Sequence, residues 1–314
     1  NTVSNNDVGL QQQAGHTPYP GDGDQSNLAD NYFGRGNSPM VCGNVVSPNT
    51  YSGNGTNTRA INVGGGIVTN TNTMEVFCSI QSAIDDANTL SGHTITVSNG
   101  TYIEDVNVTK SNLTITGQSR AGVIVKGLYT TGGVATLKFA GTAADNATVS
   151  NMTISRDYQD WYGSTKNYGV LLSVGVNNVT LNNLRVVDNR NGVYVENNGQ
   201  LNMTNCLIEQ NRTGLHISNT VRGSVSNNII RDNQTHGVFY NLNDGTSDLS
   251  GFTMFDNNFY GNWYSQVTFR GANSVSPPAD FECNWFATDA PVVNATDPAE
   301  LGYASLIPQQ LGGT

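Results

Sequence analysis

Apolar and polar positions recur with a 22-residue period between about Tyr168 and Tyr240. Asn183, Asn205 and Asn227 mark it, and three further columns align on them without gaps. Val186, Ile208 and Ile230 form an apolar column. Asn189, Asn211 and Asn233 form a second asparagine column. Gly192, Gly214 and Gly237 follow, each leading a β-rich run: Val193-Tyr194-Val195, Leu215-His216-Ile217 and Val238-Phe239-Tyr240. A fixed period in this range marks a solenoid, in which each repeat stacks on the last. Twenty-two residues is too short for a helical hairpin, and the runs are strand-like between Asn and Gly punctuation. The pattern predicts a parallel β-helix, an all-β fold.

Asparagine suits the corners of such a coil because it tolerates the left-handed conformation that a sharp turn requires. Its amide both donates and accepts, so Asn residues on successive coils can bond as a ladder along the axis. Both asparagine columns are therefore expected to be ladders. Strand alternation turns Val193, Leu215 and Val238 inward, with Val195, Ile217 and Tyr240. Leu171, Tyr194, His216 and Phe239 then form an outward, exposed stripe. Cys206 falls in the column of Leu184 and is expected to point inward as a small hydrophobe.

Outside the regular turns, strands are expected at His93–Val97, Leu113–Gly117, Val123–Gly127, Ala135–Ala140, Val149–Ile154 and Val170–Leu172. The step from Asn151 to Asn183 is 32, ten more than the period, so Arg156–Gly163 is expected to project as a loop. It carries Asp157, Tyr158, Asp160, Trp161 and Tyr162. Beyond Tyr240 the turns lengthen and become aromatic, from Phe252 to Phe286, which would close the C-terminal end. Asp297-Pro298-Ala299-Glu300 reads as the start of a short terminal helix.

Residues 78–127 carry a further pattern. Ile80, Ala83, Ile84 and Ala87 lie on one face of a short helix, with Ser79 as its N-cap. Thr94-Ile95-Thr96-Val97, Gly100-Thr101-Tyr102 and Leu113-Thr114-Ile115-Thr116-Gly117 follow. With the Asn/Gly-punctuated repeats, this stretch resembles the pectin-lyase-like right-handed parallel β-helix family, in which such a helix plugs the N-terminal end of the coil. The resemblance covers roughly residues 78–290. It implies three parts: an irregular arm over 1–77, the coil with a cap helix at 79–88, and a capping tail over 291–314. It implies fold more than function, since this fold hosts lyases, hydrolases, tailspikes, adhesins and structural domains.

Composition narrows the function classes. The chain holds 43 Asn and 35 Gly, only 12% charged residues, and a net charge of −10. That balance argues against nucleic acid and anionic membranes as partners. No run approaches the ~18 apolar residues of a membrane span. The first residue is Asn rather than Met, as in a processed mature chain or a fragment, and a secreted, cell-surface location is expected. Cys42, Cys78, Cys206 and Cys283 lack metal-like spacing. Cys42 and Cys78 are a candidate disulfide stapling the arm to the cap helix, with free buried thiols as the alternative. Eleven Asn-x-Ser/Thr sequons, among them Asn54, Asn99, Asn112, Asn178, Asn202 and Asn233, are candidate glycosylation sites.

Candidate chemistry is dispersed. A lyase of the resembled type would combine Ca²⁺-binding acids with a base beside a uronate carboxylate, and a hydrolase would need convergent carboxylates. Asp188 and Asp232 share one column, Arg190 and Arg212 another, and Glu209 neighbours Arg231 as an ordinary charge pair. The paired Asp-Asp and Gly-His-Gly that the resemblance implies for a polygalacturonase are absent from the coils. No metal set stands out, and the residues themselves call for no cofactor. Asp157, Asp188 and Arg190 remain the catalytic candidates for a polysaccharide-degrading site. Tyr158, Trp161, Tyr162, Tyr194, His216 and Phe239 are candidates for contact with a sugar or a partner.

The first 77 residues are rich in Asn, Gly, Thr and Ser and poor in apolar side chains. Such a segment is expected to lie along the chain's own coil or along the next copy. Open coil ends also present strand edges that template stacking. Together these predict a non-catalytic extracellular subunit that self-associates into a homopolymer. A lyase, a hydrolase or a carbohydrate-binding adhesin is the alternative.

Overall fold

In a computed structural model the described residues are 2–4, 11–12, 50–52, 59–60, 67–127, 134–156, 167–242, 247–271 and 283–287. Three sheets wind about one core as a parallel β-helix, right-handed as crossovers between parallel strands are. The first sheet runs from Thr94–Val97 through Thr114–Gly117, Thr148–Ser150, Val179–Asn182, Gly199–Thr204 and Val221–Ser226 to Phe252–Phe255. The second runs from Gly100–Ile103 to Asn258–Tyr260, and the third from Val106–Val108 to Ser265–Gly271, seven strands each.

Register keeps like residues stacked along the axis. Ile95, Ile115, Val149, Leu181, Met203 and Val225 form one continuous inner column of the first sheet. Val186, Ile208, Ile230 and Phe259 stack in the second, and Val193, Leu215, Val238 and Val267 in the third. All are 0–1% exposed, and each such side chain contributes ~1.5–3 kcal/mol of burial.

Corners use the left-handed region. Asn151, Asn183, Asn205 and Asn227 turn from the first sheet into the second with φ between 51° and 59°. Asp188, Gln210 and Asp232 turn from the second into the third with φ between 53° and 57°. Short polar side chains tolerate this conformation at little cost.

The two expected ladders differ. Asn189, Asn211, Asn233 and Asn262 bond in sequence, each amide donating to the next Oδ1 at 2.8–3.2 Å, all buried. The Asn183 column shares one corner, but Asn205 and Asn227 are exposed there. Only Asn183 reaches back, donating to Asn151 Oδ1 at 2.8 Å. The ladder at that corner belongs to the next residue, through Asn228, Asn257 and Asn284 at 2.9 Å each. Cys206 takes a place in it: its N–H donates to Asn228 Oδ1 at 2.8 Å, and its Sγ accepts from Leu184 N at 3.4 Å. It is buried as expected, and burial pushes its thiol up to about 12.

The cap helix, α1, spans Ile80–Asp85, and the Ser79 hydroxyl accepts from Ser82 N at 3.0 Å. Glu104 caps it from the coil, accepting from Ile80 N and Gln81 N at 2.8 and 2.9 Å. The first sheet begins inside the segment read as arm. Val68–Asn70 pairs antiparallel with both Glu75–Phe77 and Thr94–Val97. Farther back, Thr2–Ser4 pairs with Thr50–Ser52, and Gln11–Gln12 with Arg59–Ala60, both parallel. At the other end Phe252, Phe259 and Phe286 are buried, while Phe255, Trp263 and Trp285 stay exposed. Phe281 and the expected helix at Asp297 lie outside the described residues.

Candidate functional site: an arginine-flanked aromatic strip

The outer face of the third sheet carries the site. Leu171, Tyr194, His216 and Phe239 are in register on four successive strands, the column expected from the repeat. It is not the open stripe that alternation alone suggests. Leu171 is buried against Ala135, Tyr168 and Tyr194, and the rings that follow shield one another and are half-buried. Tyr168 stacks on Tyr194 at 4.9 Å, Tyr194 meets His216 at 4.6 Å, and His216 meets Phe239 at 5.0 Å. His236 stacks on Phe239 at 5.0 Å and reaches Tyr264 at 5.9 Å. The result is an aromatic strip running along the coil axis.

A cleft of about 300 Å³ opens over this strip. Tyr168, Tyr194, His216 and Phe239 form its floor, with Asn191, Thr213 and Asn241 as polar partners. Arg190 and Arg212 stand on adjacent coils along one side. Arg270 enters from the strand whose Arg270 pairs with Asn241. No carboxylate lines the cleft among the described residues. Three arginines thus gather in a chain of net charge −10. Glu196 is close enough to raise the pKa of both tyrosines.

Burial, then Tyr194 and Glu196, push the Tyr168 hydroxyl up to about 12, with Arg190 opposing. Burial raises Tyr194 as well, against a hydrogen bond with Ser218. Both hydroxyls therefore stay protonated at neutral pH and can donate. Burial, with the Arg212 charge second, pushes His236 down to about 3. Its Nδ1 lies 2.8 Å from Ser265 Oγ and 3.2 Å from Thr268 Oγ1, so neutral His236 belongs to a buried polar cluster under the strip.

Of the sequence candidates, the structure brings Arg190, Tyr194, His216 and Phe239 together. Asp188 holds a corner beside Arg190 with φ 57°. Asp157, Tyr158, Asp160, Trp161 and Tyr162 lie outside the described residues. Arg156, read as the start of their loop, is a core residue. Its guanidinium is 0% exposed and holds Asp105 through two bonds of 2.8 and 3.0 Å. Glu209 does pair with Arg231, and also with Arg185, at 2.6 and 2.7 Å. Burial alone would raise the Glu209 pKa, but the two arginine hydrogen bonds prevail and lower it.

Tyr168 and Arg270 were not singled out by the repeat. Strict alternation from Leu171 turns Tyr168 inward, but the ladder is kinked at Gly169 and the ring stacks outside. Arg270 lies beyond Tyr240, where the coil has lengthened.

Cys78 is disulfide-bonded, while Cys42, its candidate partner, lies outside the described residues. Cys206 and Cys283 are free. Among the sequons, Asn99, Asn112 and Asn178 are exposed, Asn202 is half-buried and Asn54 lies outside the described residues. Asn233 is 1% exposed and its amide donates within the ladder, so the folded chain does not offer it for glycosylation. No helix among the described residues is long and apolar enough to cross a membrane.

The profile of the NosD family, described as periplasmic copper-binding protein, matches residues 112–268, half of the chain. The chain belongs to the NosD family. No curated protein matches it. Similar solved structures include pectin methylesterase PemA from Erwinia chrysanthemi, at 12% identity over 74% of this chain and 93% of that one, with a TM-score of 0.42. A pectin methylesterase from Yersinia enterocolitica is 11% identical over 75% and 95%, with a TM-score of 0.39. The A-module of mannuronan C-5 epimerase AlgE4 from Azotobacter vinelandii is 16% identical over 65% and 71%, with a TM-score of 0.36.

The described residues do not fit copper. Copper favours imidazole and sulfur ligands converging on one point. Here no group of three His, Cys, Asp or Glu does so among the described residues. His216 is half-buried on the outer strip, whereas His236 is buried with its Nδ1 engaged by Ser265 and Thr268. His93 Nδ1 already lies 3.1 Å from Asn70 Nδ2 and accepts from Leu90 N at 3.2 Å.

Proposed function

We propose that this NosD-family chain is a secreted, cell-surface-associated protein that binds an acidic polysaccharide along its third sheet without cleaving it. The observation that carries this reading is the juxtaposition of the ring strip with Arg190, Arg212 and Arg270 around one cleft. Aromatic rings offer apolar faces to sugar rings. Arginine forks hold carboxylates in bidentate geometry. A binding role suits the chemistry better than cleavage, because among the described residues the cleft shows no carboxylate pair of the kind a hydrolase needs. Its two tyrosines, with pKa values raised by burial, are poor bases at neutral pH. A disulfide at Cys78 favours an oxidising compartment.

Titration of the full chain with polygalacturonate oligomers, with a neutral glucan as control, tests the reading. Binding is expected for the acidic oligomers only, weakening with salt as the exposed charges are screened. It should be lost in the Arg190→Ala, Arg212→Ala double variant. Equal binding of both probes, or full binding by the variant, would overturn it.

A second reading, self-association, rests on the arm. Its short strands Thr2–Ser4, Thr50–Ser52, Gln11–Gln12 and Arg59–Ala60 form two-stranded sheets. Short strands of this kind can be extended by another copy through main-chain hydrogen bonds. Such head-to-tail contact builds an open polymer. A chain shortened to begin at Gly66 retains the whole first sheet and α1, and is expected to stay monomeric where the full chain assembles. Equal assembly by both would remove the arm from this role.

A further inference from the structure

The first sheet bears a face that the polysaccharide reading does not use. Its outward positions repeat as Thr94-Ile95-Thr96, Thr114-Ile115-Thr116 and Thr148-Val149-Ser150, in register across three strands. Thr180, Asn182, Asn202, Thr204 and Ser224 continue the two columns, as does Ser226, which is buried. Thr253 and Phe255 end them on the seventh strand. Thirteen of these fourteen positions are thus Thr, Ser or Asn, and none is charged. Strand propensity does not account for this, because the same coil bears other residues elsewhere. The outer face of the second sheet carries Lys126, Arg185, Glu209 and Arg231, and the third carries Lys138, Arg270 and the aromatic strip. Arg222, at the margin of these columns, pairs with Asp248 at 2.9 Å.

The hydroxyls form a two-dimensional lattice with spacings set by the backbone. Neighbouring strands repeat at ~4.8 Å, alternate residues along a strand at ~6.7 Å, and seven strands span about 29 Å. The lattice is stiff: Thr has restricted χ1 freedom, and side chains bond along it. Ser150 Oγ donates to Thr116 Oγ1 at 2.9 Å, and Asn182 Nδ2 to Thr204 Oγ1 at 3.1 Å. A neutral, rigid grid of methyl and hydroxyl groups is a poor match for a charged polymer. With almost no rings, it is also a poor stacking surface for sugars. It suits an ordered lattice of water, because its two repeats lie close to those of water oxygens on a prism face of ice.

We propose that the first-sheet face binds ice. The methyls order the water over them, and the hydroxyls place their hydrogen bonds where lattice oxygens fall. This proposal is independent of the polysaccharide cleft, which lies on a different sheet.

The test uses the purified full chain in frozen sucrose, following recrystallisation and the shape of single ice crystals on slow cooling. Wild type is expected to keep crystals small and faceted. Thr116→Lys with Thr180→Lys, which sets two charges into the grid on non-opposed positions, is expected to lose that effect while keeping its circular dichroism. If the double variant does not fold, Thr148→Lys alone decides. Tyr194→Ala, in the cleft, should remain fully active on ice. No effect of wild type on ice growth would overturn the proposal. So would undiminished activity in a folded lysine variant, or binding to crystalline neutral polysaccharide in place of ice.

Discussion

Asn211 donates its side-chain amide to Asn233 Oδ1 at 3.2 Å while its backbone N–H donates to the same oxygen at 3.0 Å. The arrangement repeats one coil earlier, where Asn189 donates both groups to Asn211 Oδ1 at 3.0 and 3.1 Å. Each ladder residue thus satisfies a buried backbone donor of its neighbour, at a corner where no sheet partner is available. The ladder is structural in the strict sense: it completes the main-chain hydrogen bonding of the coil.

Asn211→Leu should therefore destabilise the protein by about 3 kcal/mol or more, since several buried groups lose partners together. Asn205→Leu, on the exposed corner column, should cost only about 1 kcal/mol, the strain of a branched residue in the left-handed region. Asn205→Gly should be close to neutral. Urea unfolding midpoints of the three variants check the order. An Asn205→Leu cost equal to that of Asn211→Leu would assign the ladder to the wrong column.

This pair also shows how far the sequence can be read. The 22-residue period locates the corner column, because only a few residue types accept its backbone. It does not tell which amide faces inward, since Asn227 and Asn228 are adjacent and the left-handed turn breaks strand alternation. Inner columns such as Val193, Leu215 and Val238 were legible because a buried stack admits only apolar residues. The stacked part of the site, Tyr194, His216 and Phe239, lay inside the regular repeat and was equally legible. Tyr168 was hidden by the kink at Gly169. Arg270 was hidden because the ladder step grows from 22 residues, Asn211 to Asn233, to 29, Asn233 to Asn262. A lengthened coil keeps its stacking but loses its alignment.

Arg156 and Asp105 give a second prediction. The arginine is fully buried, and burial lowers its pKa against the pull of Asp105. Asp105→Ala would leave a guanidinium in the coil without its carboxylate, which should cost about 3–5 kcal/mol. Removing the exposed partner in the Arg222–Asp248 pair should cost far less, since solvent screens a surface pair. Thermal denaturation of Asp105→Ala and Asp248→Ala checks the contrast. Similar small losses in both would show that Arg156 finds another partner.

His236 sets an acid limit. Its folded pKa, about 3, lies below the ~6.5 of an exposed ring. The unfolded chain therefore takes up the proton first. Its contribution to stability is full above ~6.5 and is lost progressively as pH falls toward ~3, a few kcal/mol in all at 1.36 kcal/mol per unit. The charge that faces it is Arg212, and its hydrogen-bond and stacking neighbours Ser265, Thr268 and Phe239 carry no charge. His236→Gln should flatten the slope of stability against pH between 4 and 7, whatever its effect on absolute stability. Parallel slopes in urea titrations of the two proteins would show that another group carries the acid sensitivity.

The glycine column tests whether close approach, rather than turn geometry, fixes those residues. A Cβ on Gly214 would lie 2.6 Å from the Gly237 carbonyl oxygen and 2.9 Å from Asn233 Nδ2. Neither neighbour can withdraw: one is backbone in the adjacent coil, the other an amide committed to the ladder. Gly192 meets the same pair one coil earlier, through Gly214 O at 2.6 Å and Asn211 Nδ2 at 2.9 Å. Gly214→Ala should therefore force two coils apart locally, with an overpacking cost of about 1–3 kcal/mol. Gly92 has φ +85° and nothing within 4 Å of its Cβ position, so Gly92→Ala should cost only the strain of the left-handed region, about 1 kcal/mol. Hydrogen exchange distinguishes the two mechanisms beyond the size of the loss. In Gly214→Ala the amides of Asn211 and Asn233 should exchange faster, whereas in Gly92→Ala they should keep wild-type protection. Unchanged ladder protection in Gly214→Ala would mean that the coil absorbs the methyl without opening.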